Sequence, residues 1–91
     1  MSDPGARADR LSGFVLVSRA DCHLCEAMHA ELTAFLGEAA AQIPVLDVDD
    51  DAELRRRYGY KVPVLLHAGE IVCFGRFDRS EVERALKAVA R

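Results

Sequence analysis

The order of apolar runs and helical stripes predicts an α/β protein: a three-layer sandwich with a four-stranded mixed sheet and three helices. Three observations carry this reading. A solid apolar run at residues 14–17 is followed by a stripe of helical period and then by a second apolar run, which is the pattern of a βαβ unit. Two further short runs flank Ala68-Gly69, a tight turn that joins them as a hairpin. Helical spacing returns after residue 79. The predicted order is β-α-β-α-β-β-α, and a mixed sheet with helices on both faces buries all of these apolar faces economically.

Phe14-Val15-Leu16-Val17 is short, apolar and β-branched, as expected of a strand covered on both faces. Residues 18–21 break it. Leu24, Met28, Leu32, Phe35, Leu36 and Ala39 recur at spacings of three and four and predict the first helix. Residues 43–48 read as the second strand, with Pro44 tolerable near its start. Asp49-Asp50-Asp51 suits a helix N-terminus, and Asp50 with Glu53 matches a capping box. The short helix that follows turns Leu54 and Tyr58 inward and ends at Gly59, expected in a left-handed C-terminal conformation. Residues 62–66 and 71–74 are the third and fourth strands. Ser80 and Glu83 form a second capping box, opening a helix with Val82, Leu86 and Val89 inward.

Ninety-one residues make one domain, with a core that is adequate but small. Residues 1–12 mix Asp, Arg, Pro, Gly and Ser without a sustained period and read as a flexible arm, leaving residues 13–91 as the folded unit. Half of the chain is apolar and 30% is charged, which excludes a disordered chain. The net charge of −3 predicts no nucleic-acid partner and no anionic membrane partner. Apolar stretches of four or five residues are far short of the ~20 that span a bilayer. No apolar run follows Met1-Ser2-Asp3-Pro4-Gly5, so a secretory leader is not expected and a cytoplasmic location is. Three cysteines are too few, and odd in number, for a disulfide-stapled scaffold.

Two of these cysteines form Cys22-His23-Leu24-Cys25, placed where the first strand hands over to the first helix. A CxxC within a βαβ pattern points to thiol redox chemistry. The first turn of a helix offers unpaired N–H groups and the positive end of its dipole, which favour a thiolate at Cys22. At 100° per residue the apolar stripe spans an arc of about 120°; Cys25 falls inside it and Cys22 outside. An accessible attacking thiol in front of a shielded resolving thiol is what dithiol exchange requires. Zinc is the competing reading, with Cys22, Cys25 and His29 as ligands, but Cys22 and His29 lie about 10 Å apart along a helix axis. No metal is therefore expected. A module kept for protein contacts, its CxxC idle or holding a metal or iron–sulfur cluster, is the alternative to an enzyme.

The stretch Ser18-Arg19-Ala20-Asp21-Cys22-His23-Leu24-Cys25 after a buried strand, together with Tyr60-Lys61-Val62-Pro63-Val64-Leu65, resembles the thioredoxin superfamily and its small glutaredoxin-like members. The resemblance covers residues 14–91. It implies a thioredoxin-like fold and a thiol–disulfide oxidoreductase that reduces protein or glutathione mixed disulfides. Cys22 is then the nucleophile and Cys25 the resolving thiol. It implies a cis Val62–Pro63 bond, with the Val62 N–H and C=O left free to pair with an incoming substrate backbone. Gly75 and Asp78 resemble the stretch with which glutaredoxins hold the γ-glutamyl end of glutathione, and Arg19 stands where they place a basic residue for its carboxylate. Glutathione is the implied cosubstrate, no other cofactor is needed, and a monomer is expected.

The chain also departs from the glutaredoxin pattern. Phe74 stands where a first glycine is common, and His-Leu replaces the usual Pro-Tyr between the cysteines. His23, if protonated, would favour the Cys22 thiolate, while Asp21 would oppose it. Cys73 is expected to be a buried, inert thiol. Arg55-Arg56-Arg57 reads as the solvated face of a short helix rather than a ligand site.

Overall fold

The computed structural model describes Leu11 and residues 13–89, with the backbone alone at Val89. Strand β1 (Phe14–Ser18) leads into helix α1 (His23–Leu36), and a 3-10 segment, Gly37–Gln42, connects it to β2 (Val45–Asp47). A second 3-10 turn, Val48–Asp50, precedes α2 (Ala52–Tyr58); β3 (Val64–His67), β4 (Glu70–Phe74) and α3 (Arg79–Val89) complete the chain. The sheet order is β2-β1-β3-β4. β1 runs parallel to β2, and the β1–β3 and β3–β4 pairs are antiparallel. The mixed α/β architecture and its element order are as the sequence predicts.

Alternation along the two central strands divides the interior. Leu16 and Leu65 face one way, where Met28 and Leu32 of α1 and Val82 of α3 close over them. Val17, Val64 and Leu66 face the other way, against Leu54 and Tyr58 of α2. The three layers are therefore α1 with α3, the sheet, and α2. Side chains such as Leu32 and Leu65, at most 2% exposed, each contribute about 1.5–3 kcal/mol through burial.

Several element ends differ from expectation, each for a local reason. Helix α1 stops at Leu36 because Gly37 turns to φ 66°, its N–H donating to the Thr33 carbonyl; the chain then tightens, exposing Ala39 and burying Ala40. β2 is only three residues long because the Asp47 carboxylate accepts from the Asp49 N–H at 2.8 Å, bending the chain out of the sheet. That turn moves the start of α2 onward, so Asp51 rather than Asp50 is its cap, accepting from the Glu53 and Leu54 N–H groups at 2.8 and 3.1 Å. Helix α3 is likewise capped by Asp78, which accepts from the Glu81 N–H, and not by Ser80. Gly59 adopts φ −54°, a right-handed conformation. Its small size is needed for another reason: a Cβ there would lie 2.5 Å from the Arg55 carbonyl oxygen.

The β3–β4 turn has φ of 52° at Ala68 and 82° at Gly69, the paired positive values of a tight two-residue hairpin. Within the hairpin, Leu65 pairs with Cys73 and Leu66 with Ile71, so Val72 is the extra residue of a β-bulge. The predicted arm, residues 1–12, lies outside the described residues except for Leu11. That side chain is 6% exposed and packs in the core with Phe14 and Met28, so the packed domain reaches back at least this far. The side chain of Val89, expected inward, also lies outside the described residues. Among the described residues, no helix is long and apolar enough to cross a membrane.

Candidate functional site

Cys22 is the cap residue of α1. Its φ and ψ of −114° and 110° are still extended, its carbonyl accepts from the Glu26 N–H at 3.0 Å, and its Sγ accepts from the Cys25 N–H at 3.2 Å. The positive φ of 55° at Asp21 turns the chain into this position. Cys22 is half-buried, whereas Cys25, one turn on and facing the sheet, is 3% exposed. Burial pushes the Cys25 thiol above the ordinary range, and its hydrogen bond to Cys22 and the charge there push the same way. The Ser18 hydroxyl and the Arg19 backbone N–H partly offset this. The three cysteines are free thiols.

The sheet register brings the second motif alongside. Val17 pairs with Val64, so the next position of this antiparallel ladder sets Ser18 opposite Pro63. The Val62–Pro63 bond is cis and the Pro63 side chain is fully buried. The Gly75 N–H donates to the Pro63 carbonyl at 2.8 Å, tying the end of β4 to this turn.

The Val62 backbone corrects an expectation. Its N–H donates to the Tyr58 carbonyl at 3.2 Å, because the turn after α2 continues the helical hydrogen bonding for one more step. It is not free for a substrate, which leaves the Val62 carbonyl for pairing.

Arg19 likewise has partners within the protein. Its Nε and Nη2 donate to the two carboxylate oxygens of Asp49 at 2.9 and 3.1 Å, and its Nη1 donates to the Gly59 carbonyl at 3.1 Å. The pairing holds the Asp49 carboxyl below its ordinary range. Arg19 thus holds Asp49 and the Gly59 carbonyl while it lines a groove of about 450 Å³ with Ala52, Arg55, Arg56, Gly59 and Tyr60. Gly75 and Asp78 do stand together at the start of α3, but the Gly75 N–H and one Asp78 carboxylate oxygen are spent on the bonds described above.

His23 is fully exposed, 4.0 Å from the Glu26 carboxylate and on the solvent side of α1. Leu24, placed in the buried stripe by its spacing, is 57% exposed instead. It joins Tyr60, at 104%, and Phe74, at 52%, among the exposed apolar side chains; the Lys61 ammonium sits 5.6 Å from the centre of the Phe74 ring. Cys73 is buried under the start of α3, and desolvation raises its pKa. Arg56 and Arg57 both reach Glu53, at 2.6 and 2.7 Å, and hold its carboxyl down to about 2. His29 is exposed on α1. Among the described residues no three His, Cys, Asp or Glu side chains gather as a metal-holding group.

Sequence spacing assigns no site role to Ser18, Asp49 or Gly59. Asp49 lies in an acidic run that reads as helix-capping, and Gly59 contributes a backbone carbonyl that no residue type signals.

A buried dithiol partner behind a half-exposed cysteine, at the start of a helix that follows the central parallel strand, defines a protein of thioredoxin-like redox fold. The sequence belongs to the family described as Glutaredoxin-like domain (DUF836), whose model matches residues 14–87. The fold is similar to the solution NMR structure of protein Ne2328 from Nitrosomonas europaea, at 29% identity over 78% of this chain and 86% of that one, with a TM-score of 0.67. It is similar also to the X-ray structure of protein XcR50 from X. campestris, at 34% identity over 82% and 96% of the two chains, with a TM-score of 0.63. Oxidized glutaredoxin 2 from Chlamydomonas reinhardtii shares the fold alone, at 15% identity over 94% and 91%, with a TM-score of 0.57. No curated protein matches the sequence.

Proposed function

We propose that the protein is a thiol–disulfide oxidoreductase acting on protein or glutathione mixed disulfides. The observation that carries this reading is the asymmetry of the pair: Cys22 is accessible at the helix cap and Cys25 is buried directly behind it, its N–H 3.2 Å from the Cys22 sulfur. The Cys22 thiolate attacks one sulfur of the substrate disulfide, forming a mixed disulfide and releasing the other sulfur as a thiolate that takes up a proton. The Cys25 thiol then gives up its proton and attacks Cys22 Sγ. This forms the Cys22–Cys25 disulfide and releases the second substrate thiol. Two electrons pass to the substrate. Two glutathione thiols or a dithiol reductase return them, glutathione being the proposed cosubstrate, and a reducing compartment such as the cytoplasm suits the three free thiols.

The raised pKa of Cys25 fits this order of events. It stays protonated while Cys22 carries charge, and tying Cys22 into the mixed disulfide removes the Cys22 charge and hydrogen bond that help to keep it so. The Val62 carbonyl beside Pro63 offers one backbone acceptor for the bound substrate.

The test is reduction of a mixed disulfide by purified protein in glutathione buffer. Cys22→Ser is expected to abolish turnover, while Cys25→Ser blocks protein-dithiol exchange and spares reduction of glutathione mixed disulfides. A Cys22→Ser protein as active as the wild type would overturn the mechanism.

A further inference from the structure

Arg19 stands three residues before the attacking thiol, and its side chain, about a third exposed, commits three N–H groups to partners within the protein. Its contacts join three separate segments: the loop that delivers Cys22, the turn after β2 through Asp49, and the turn after α2 through the Gly59 carbonyl. The last of these runs directly into Val62–Pro63. The bond to Asp49 is bidentate, so it fixes the plane of the guanidinium as well as its distance. The Arg19 backbone N–H, meanwhile, is one of the groups that pull the Cys25 pKa down. One residue therefore registers the two motif loops with its side chain.

We infer that Arg19, Asp49 and the Gly59 carbonyl form a clasp that positions the dithiol loop against the Pro63 turn, and that Arg19 is a positioning residue rather than a substrate ligand. The inference rests on the oxidoreductase reading for its kinetic consequence, but not for its structural one. A substrate carboxylate seeking the bidentate Nε and Nη2 edge would have to displace Asp49 from both of its hydrogen bonds. Global stability does not account for the arrangement, since both partners are more than a third exposed and exposed ion pairs add little to stability. What the three bonds supply is relative placement. A shift of about 1 Å between reacting groups is enough to cost up to about a hundredfold in rate.

The experiment is a double-mutant cycle of Arg19→Ala and Asp49→Ala with two readouts: kcat and KM for a glutathione mixed disulfide, and the alkylation rate of Cys25 by iodoacetamide, followed by mass spectrometry. The clasp predicts that each single variant loses about ten- to a hundredfold in kcat with KM within about twofold of wild type. Cys25 is alkylated several-fold faster in both, and the double variant is no worse than either single one, because the two residues act as a unit. Asp49→Asn, which keeps the shape and one acceptor oxygen, shows the same changes in milder form and serves if the alanine variant does not fold. The inference is overturned if Arg19→Ala raises KM about tenfold while Asp49→Ala leaves it unchanged, which is the signature of a substrate ligand. It is overturned equally if Cys25 alkylation stays at the wild-type rate. A wild-type protein without reductase activity would defeat the proposed function, and the alkylation arm would still decide the clasp.

Discussion

Gly59→Ala separates two physical arguments that predict opposite signs. Gly59 has the φ and ψ of a helix, −54° and −30°. On backbone entropy alone, alanine there would stabilise the protein by about 0.5–1 kcal/mol. The packing says otherwise. A Cβ would sit 2.5 Å from the Arg55 carbonyl oxygen, about 0.9 Å short of ordinary contact at 3.4 Å, and the obstacle is backbone. That same carbonyl accepts the Gly59 N–H at 2.9 Å, so relieving the overlap stretches a hydrogen bond with a net contribution of about 0.5–1.5 kcal/mol. Overpacking adds about 1–3 kcal/mol. After the entropy gain, a net loss of about 0.5–4 kcal/mol remains, against a total of roughly 5–14 kcal/mol for 91 residues. Thermal unfolding followed by far-UV circular dichroism should show the midpoint lowered by roughly 2–32 °C. An unchanged or raised midpoint would refute the steric account, and with it the view that glycine is required here by a close approach.

Two further results are expected. Asp51→Ala costs about 0.5–2 kcal/mol in urea unfolding because it removes the acceptor for two N–H groups, whereas Asp50→Ala stays within about 0.5 kcal/mol; equal losses would put the cap elsewhere. The buried thiols make stability fall at alkaline pH: Cys25 and Cys73 have folded pKa values raised above the ordinary 9.0, so their contribution is complete below 9.0 and is lost as pH rises through the folded values. The urea midpoint should therefore fall as pH rises above about 9, and by less in Cys73→Ala; an identical drop would remove Cys73 from the explanation.

The fold was legible because its signals are long-range patterns. The apolar run of β1, the stripe of Met28, Leu32 and Phe35, and the turn at Ala68-Gly69 each span enough residues for period to decide the element. Element ends were less legible, because they depend on single side chains that compete. Asp47, Asp49, Asp50 and Asp51 are chemically equal as caps, and the choice among them follows from how far β2 can run before Val48 must enter the core. At the site, the cysteine pair and Pro63 follow from local sequence. The fate of Arg19, of Gly75 and of the Val62 N–H depends on partners up to 40 residues away, with Gly59 the partner of Arg19. No spacing rule encodes such pairs. Leu24 misled for a related reason: helical period gives an angle around the axis, and it does not say which neighbours pack against a given position.

The bulge at Val72 and the three-residue length of β2 have a bearing on how molecules of this protein meet one another. β2 and β4 are the outer strands of the sheet, and both expose apolar side chains: Val45 and Leu46 on one, Ile71 and Phe74 on the other. Uninterrupted rims of that kind are templates on which strands of other molecules can add. Here one rim ends after three residues, and the other is broken out of register at its middle. Each border is thus too short or too irregular to offer a long, regular template for an added strand.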